Sequence, residues 1–255
     1  QSGTNQVNLE RKGERWRVRE RKDYPANYSE ISQFLLKAQD LKVAQSEPVG
    51  KSLLGRYQLL PPGQGTNSAT LVELRDQNGK TMRTLLLGKP HMQKSEQSSP
   101  SPMGDEAYPD GRYVMVGTAA KNVDVISEPL SNIEPSPGQW VNKDFFRIDK
   151  VRSIAVEFPV ATNSWKLTRE GVTSDWKLVD AKPGEQLDST KTSSLANALA
   201  TPSFSDVDTG ATPAALGLDK PTVLTFNTFD GFTYTIDVGT KTNDICPLTF
   251  KVSAD

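Results

Sequence analysis

Short runs of alternating apolar and polar residues, separated by turn signals, follow one another along this chain in an order that is written twice. One copy runs from Trp16 to Gly88 and the other from Trp176 to Gly239. Each opens on a Trp in an alternating run and passes through a Ser/Thr-started amphipathic segment. Each then reaches a Gly followed by an aromatic or apolar residue and closes on strand, turn, strand and a final Gly. Trp16 and Trp176 lie 176 − 16 = 160 apart, as do Ser29 and Ser189, 189 − 29 = 160. The offset is read as 217 − 55 = 162 at Gly55 and Gly217 and as 231 − 79 = 152 at the turn glycines Gly79 and Gly231. A long unit present twice points to two related domains, since solenoids need shorter units and more of them.

Within the first copy, Arg15-Trp16-Arg17-Val18-Arg19 alternates with a period of two, the pattern of a half-buried strand with a solvated face, ended by Pro25. Glu10, Glu14 and Glu20 dilute the basic residues there, so the stretch is not read as a nucleic-acid patch. Asn27 or Ser29 caps a helix expected to reach Ala44, with Ile31, Phe34, Leu35, Ala38 and Leu41 on one face. Leu71–Leu74 and Met82–Leu87 flank Asn78-Gly79, a strong hairpin signal. Residues 89–111 are rich in Ser, Pro, Gln and Gly and read as a polar loop excursion. Tyr113–Val116 and Val123–Ile126 form a second hairpin, and the first repeat domain covers residues 1–138.

The second repeat domain, with a connector in front of it, covers residues 139–255. Asp144, Phe145, Phe146 and Ile148 suggest a helical turn before a strand over Ser153–Phe158. Trp165–Thr168 and Trp176–Val179 pair across Gly171, Asp188 or Ser189 starts a helix carrying Leu195, Ala198 and Leu199, and Thr222–Val238 turns at Asp230-Gly231. Phe229 and Phe232 beside that turn are expected to form a cross-strand pair. The last run, Thr249–Val252, has no following strand to match the one after Tyr113–Val116, so the second domain is either shorter or continues in a longer parent protein. The expected fold class is α+β: two duplicated domains, each a mostly antiparallel sheet with one helix packed on a face.

Charge and composition narrow the function classes. Thirty basic residues against 31 acidic ones give a net charge of −1, which offers no attraction to nucleic acid or to an anionic membrane. One cysteine, Cys246, and one histidine, His91, rule out an internal disulfide and a Cys/His zinc site from this chain, and no cofactor is expected. No apolar run approaches the roughly 20 residues of a membrane helix, and no signal-peptide core is present, so a signal or anchor would lie outside this chain.

The candidate chemistry is sparse. Gly50-Lys51-Ser52 resembles the end of a phosphate loop, but position 45 is Gln45 where a Walker A motif needs Gly, and Gly63-Gln64-Gly65 is a loop signal. His91 is read as an exposed loop histidine, and no G-x-S-x-G elbow accompanies it. Cys246 has no His or Lys beside it in sequence to activate its thiol. Asp105-Glu106 and Asp206/Asp208 are the nearest candidates for paired carboxylates, the latter reading more simply as a loop or strand edge. Trp16, Trp165 and Trp176 lie in strand runs and read as core. Trp140, flanked by Pro and Gly, is the aromatic expected to be exposed for interaction.

At Leu216-Gly217-Leu218-Asp219-Lys220-Pro221, a Gly-Leu-Asp-x-Pro step follows a Trp strand and a helix and precedes a strand, an Asp-Gly turn and a strand ending in Gly. This order resembles an uncharacterised bacterial family classed only as a domain of unknown function, whose genes often sit beside ABC-transporter components of the gliding-motility type. The resemblance covers most of the chain. Trp140-x-x-Lys143-Asp144-Phe145-Phe146 and the two Trp-Lys-Leu elements at Trp165 and Trp176 resemble the family's centre. The second copy fits better, because Gly55-Arg56-Tyr57-Gln58-Leu59 replaces the Gly-Leu-Asp step in the first and its Pro reads as displaced.

The resemblance implies an exported or membrane-anchored protein whose soluble part faces the periplasm, and it transfers no catalytic residue. The leading expectation is therefore a non-enzymatic extracytoplasmic interaction module of an envelope or ABC-transporter-associated assembly, with protein partners, no nucleic acid, and membrane attachment only through an anchor outside this chain. The alternatives are a periplasmic glycan- or peptide-binding protein using the inter-domain cleft and, further off, a hydrolase.

Overall fold

The computed structural model describes residues 1–94, 107–119, 121–197, 200 and 202–254. The fold class is α+β, with two compact units, Gln1–Asn142 and Lys143–Asp255, each dominated by antiparallel sheet and each carrying a helix.

The first unit opens with a meander of β1 (Leu9–Lys12), β2 (Arg15–Val18) and β3 (Tyr24–Pro25). Val18 is fully buried and Arg15 exposed, as the alternation requires. Pro25 does not end β2; it sits in β3 at the edge of the sheet, where a missing N–H removes no ladder bond. Asn27 caps α1 (Tyr28–Gln39), accepting the Ser29 and Glu30 N–H groups at 3.1 and 3.4 Å. The helix stops at Gln39 rather than Ala44. Val43 onward instead forms β4 (Val43–Pro48) against β8, where the ladder satisfies backbone groups that a β-branched, Pro-terminated stretch would satisfy poorly in a helix.

After a 3₁₀ segment, Lys51–Tyr57, come β5 (Thr70–Arg75), β6 (Thr81–Lys94), β7 (Ala107–Val116) and β8 (Asn122–Ile126). The sheet order is β4-β8-β7-β6-β5. One face packs Leu59, Ala69, Leu86, Met115 and Val123, the other Leu87, Val114, Ile126 and Leu130.

Both flanks of the expected loop at residues 89–111 are strand. β6 runs on through Pro90 and His91, and β7 returns alongside it from Ala107, so that only residues 95–106 lie outside the described chain. The ladder slips at Leu87/Pro90 and again at His91/Met92, and these bulges admit a proline into a strand. The unit closes with a short helical turn, α2 (Pro137–Trp140), in which Pro137 takes an opening position where its absent N–H is harmless.

The second unit holds β9 (Val151–Glu157), β10 (Trp165–Thr168), β11 (Lys177–Leu178), α3 (Ser189–Asn197), β12 (Thr222–Thr228), β13 (Phe232–Val238) and β14 (Leu248–Ala254). They form one antiparallel sheet, ordered β11-β10-β9-β12-β13-β14. Ile148, Val151, Ile154, Val156, Phe226 and Ile236 make its core, with Leu195 of α3 packed against them. Ala198 and Leu199, expected on the same helix, lie outside the described residues. Asp188 starts α3 by accepting the Thr190 and Lys191 N–H groups at 2.9 and 3.1 Å. The helical turn expected at Phe145–Ile148 does not form, because both phenylalanines turn their rings into an aromatic cluster. Nor do Phe229 and Phe232 pair: Phe229 lies 6.0 Å beneath the Arg169 guanidinium, while Phe232 sits 6.3 Å from Tyr234.

The two copies match more closely than sequence spacing suggests. In the first, the Gln58 N–H bonds to the Gly55 carbonyl at 3.2 Å and the Leu59 N–H to the Leu54 carbonyl at 3.0 Å. In the second, Gly217 bonds to Ala214 at 3.1 Å and Leu218 to Pro213 at 2.8 Å. This is the Schellman pattern that ends a helical turn, and its left-handed residue is Gln58 (φ 56°) in one copy and Gly217 (φ 69°) in the other.

The true partner of Gly217 is therefore Gln58, not Gly55, and the offset is 217 − 58 = 159. On that register Pro62 stands where Pro221 does, 221 − 62 = 159, so the proline is not displaced. In each copy the turn passes beneath a glycine of the hairpin's second arm, Gly88 within β6 and Gly239 directly after β13. A Cβ on Gly88 would run into the Tyr57 carbonyl oxygen, and one on Gly239 into that of Leu216.

Candidate functional site

Trp140 is not exposed. Only 5% of it is accessible, its Nε1–H donates to the Glu134 carbonyl at 2.9 Å, and its own carbonyl accepts the Asn27 N–H at 2.7 Å. The flanking Pro and Gly that suggested a loop instead build the turn that folds the indole inward, and they leave the unit without the expected interaction residue. Phe145 and Phe146 of the same motif belong to the second unit, so the motif spans the point where the chain passes from one unit to the next.

The other sequence candidates separate. Lys51 and Ser52 open the 3₁₀ segment, both exposed. The Asp206 carboxylate accepts the Val207 N–H at 2.7 Å, and the Asp208 carboxylate accepts the Gly210 and Ala211 N–H groups at 2.8 and 2.9 Å, which is turn-forming work. Asp105 and Glu106 lie outside the described residues. Cys246 is exposed. Among the described residues no group of three or more His, Cys, Asp or Glu side chains could hold a metal ion.

His91 departs most from its sequence reading. It is half-buried on β6, and its Nδ1 lies 2.6 Å from Asp110 Oδ1 on β7. Its ring meets Tyr113 edge-on at 5.4 Å, Tyr113 meets Tyr57 at 4.8 Å, and the Lys89 ammonium stands 5.7 Å from the Tyr113 ring and 5.8 Å from that of Tyr57. Burial, with Tyr57, Glu47 and Asp110 nearby, raises the Tyr113 pKa above that of a free phenol. Sequence could not have paired His91 with Asp110, because two ladder slips decide that they meet. The fold gathers two phenols, an ammonium, an imidazole and a carboxylate here, a set suited to holding β6 and β7 together by ring contacts and one short hydrogen bond.

The second unit carries the larger apolar feature. Phe146 stacks on Phe250 at 4.1 Å with 12° between the rings; Phe145 lies 4.4 Å from Phe146, 5.1 Å from Phe204 and 5.5 Å from Phe250; Tyr234 is 5.9 Å from Phe250. Lys143 stands 5.1 Å over Phe204 and donates to the Ser205 carbonyl.

These rings share a sheet face with Leu248, Val252 and Phe232, because side chains two apart on a strand point the same way and the register sets Tyr234 opposite Val252. The core runs out on this face: Phe232 is 42% exposed, Leu248 41% and Val252 54%. Apolar side chains left on an outer strand beside an aromatic cluster form the kind of patch that marks an interaction surface.

Residues 102–221 match a family model described as Domain of unknown function (DUF4340). The matched region runs from the tail of the first unit through the Lys143-Asp144-Phe145-Phe146 motif to Pro221, the proline of the Gly-Leu-Asp-x-Pro step. No curated protein and no solved structure matches the chain.

Proposed function

We propose that the chain is a non-enzymatic, extracytoplasmic interaction module, part of an envelope or ABC-transporter-associated assembly, and that it reaches the membrane only through an anchor outside this chain. The observation that carries the reading is the apolar shelf of the second unit, where Phe232, Leu248 and Val252 remain accessible beside the Phe145/Phe146/Phe250 cluster. The region matched to the family of unknown function supports the envelope setting through the resemblance described above. Among the described residues no helix is long and apolar enough to cross a membrane.

The test is site-specific photo-crosslinking in the native host, with the photoreactive residue at Phe232 or Val252 and membranes extracted in mild detergent. Discrete crosslinked proteins, transporter or envelope subunits among them, are expected from these positions and not from exposed Arg15. A chain that crosslinks to no protein from either position would overturn the reading.

A further inference from the structure

We infer that a small cavity in the first unit, walled by Arg112 and Glu134, binds a free, small and polar α-amino acid as its zwitterion, with the carboxylate on Arg112 and the ammonium on Glu134. The site goes beyond the interaction reading and lies on a different unit from the apolar shelf, so either can fail without the other.

Four stretches of chain build the cavity, whose volume is about 270 Å³. A turn from Ser2 to Asn5, closed by reciprocal backbone bonds of 2.9 and 3.0 Å, forms one wall. Thr70 at the start of β5, Arg112 on β7 and the segment 131–136 form the others. The backbones of Gln1 and Leu71 bond in both directions, which is an antiparallel pair. Ser2 is thereby carried toward Thr70, and a residue ahead of Gln1 would run the opposite way along β5.

The fold does not use up the polar groups of this lining. Arg112 is half-buried; its Nε donates to the Gly88 carbonyl at 2.7 Å, and its Nη1 to those of Leu130 and Pro129 at 2.9 and 3.4 Å. A guanidinium has five N–H groups, so the two on Nη2 are left without a partner among the described residues. No unpartnered side-chain nitrogen or oxygen is sealed from solvent among those residues, so Nη2 opens onto accessible space. The hydroxyls of Ser2, Thr70, Ser131 and Ser136 likewise make no hydrogen bond among the described residues. Glu134 lines the same cavity, close enough for its charge to act on Arg112, yet the two form no ion pair.

The ligand's chemistry follows from that pair of charges. A simple anion drawn to Arg112 meets the carboxylate of Glu134, and a simple cation drawn to Glu134 meets the guanidinium. An α-amino acid carries an ammonium and a carboxylate on one carbon and answers both with charge-assisted hydrogen bonds. The cavity is smaller than the roughly 300 Å³ at which ordinary ligand pockets begin, which selects a ligand of few atoms. Its four free hydroxyls select a polar side chain.

The experiment titrates the isotope-labelled full chain separately with L-serine, L-threonine, L-asparagine and glycine, up to about 10 mM, and follows the backbone amides by NMR. At least one of the four is expected to bind saturably and to shift the amides of Thr70, Arg112 and Ser136. The matching acid without the amino group and the matching amine without the carboxylate should each bind at least about fivefold more weakly; for L-serine these are 3-hydroxypropionate and ethanolamine. Glu134 is exposed and its side chain holds nothing in the fold. Glu134→Gln should therefore weaken the amino acid by about fivefold and leave the amino-free acid no weaker. Arg112→Gln should abolish binding. Because that change also removes three bonds to carbonyls, Glu134→Gln decides alone if the Arg112 variant does not fold.

Absence of saturable binding by all four amino acids overturns the proposal, as do shifts confined to other parts of the chain. An amino-free acid that binds as tightly as the amino acid would make this a simple anion site and overturn it too. So would a Glu134→Gln variant that binds the amino acid and the amino-free acid with unchanged or equally reduced affinity.

Discussion

The two units build the same hairpin over the same Schellman turn and then extend their sheets in opposite directions. In the first, strands are added beyond β7, which acquires β8 and then β4, and β5 is left at the edge. In the second, β12 acquires β9, β10 and β11, and β14 is left at the edge. A duplicated core thus exposes a different flank in each copy. What the copies share is the crossing of the turn under a glycine in or just after the hairpin's second strand, where a side chain would meet a backbone carbonyl.

The largest effect should come from that crossing. Ala at Gly88 would press its Cβ into the Tyr57 carbonyl oxygen and to 3.0 Å from Leu59, and Ala at Gly239 would meet the Leu216 carbonyl oxygen. The two carbonyl oxygens belong to the backbone, so the backbone has to shift. Each change is expected to destabilise its own unit by about 3 kcal/mol. Hydrogen exchange is the measurement: protection should fall in β5 to β8 for Gly88→Ala and in β12 to β14 for Gly239→Ala. Equal loss in both units from either change would break the correspondence.

Next comes the residue that ends the turn, where the copies differ in kind. Gly217→Ala places a side chain at φ 69° and 2.8 Å from the Thr240 nitrogen, so a loss of about 2 to 3 kcal/mol is expected. Gln58→Gly relieves a side chain already held at φ 56° and should stabilise the first unit by about 1 kcal/mol. Opposite signs at one structural position in urea denaturation would confirm the alignment at offset 159. Equal signs would return the pairing to Gly55.

The same position explains how far the sequence could be read. Strand alternation, the two hairpin turns and the helix starts were legible because each depends on local periodicity or on a single turn residue, as at Trp16, Asp230-Gly231 and Asp188. The Gly-Leu-Asp-x-Pro step was visible as a pattern, but its partner was misassigned to Gly55. The conserved quantity is a left-handed backbone, which Gln58 adopts without announcing it.

The His91 cluster was missed for a related reason. Pro90 and its polar neighbours read as loop, and only the ladder between β6 and β7, with its two slips, brings Asp110 to the imidazole. Trp140 failed differently: Pro137 and Gly138 are turn residues in sequence and helix-opening residues in the fold, and the second role buries the indole.

The smallest effect lies at the helix starts and tests whether the copies also share their local capping. Asn27 accepts two N–H groups at the start of α1 and Asp188 two at the start of α3, so each Ala substitution should cost about 1 kcal/mol in chemical denaturation. The residues differ in charge. Asp188 adds a carboxylate to the positive end of a helix dipole, while Asn27 presents only a neutral amide there. Asp188→Asn should therefore keep most of the cap and lose a few tenths of a kcal/mol at low ionic strength, a loss that vanishes in about 1 M salt as the charge is screened. Asn27→Asp should show the reverse gain. A salt-independent response at both positions would mean that the caps act by hydrogen bonding alone and that the two helix starts are equivalent despite their different residues.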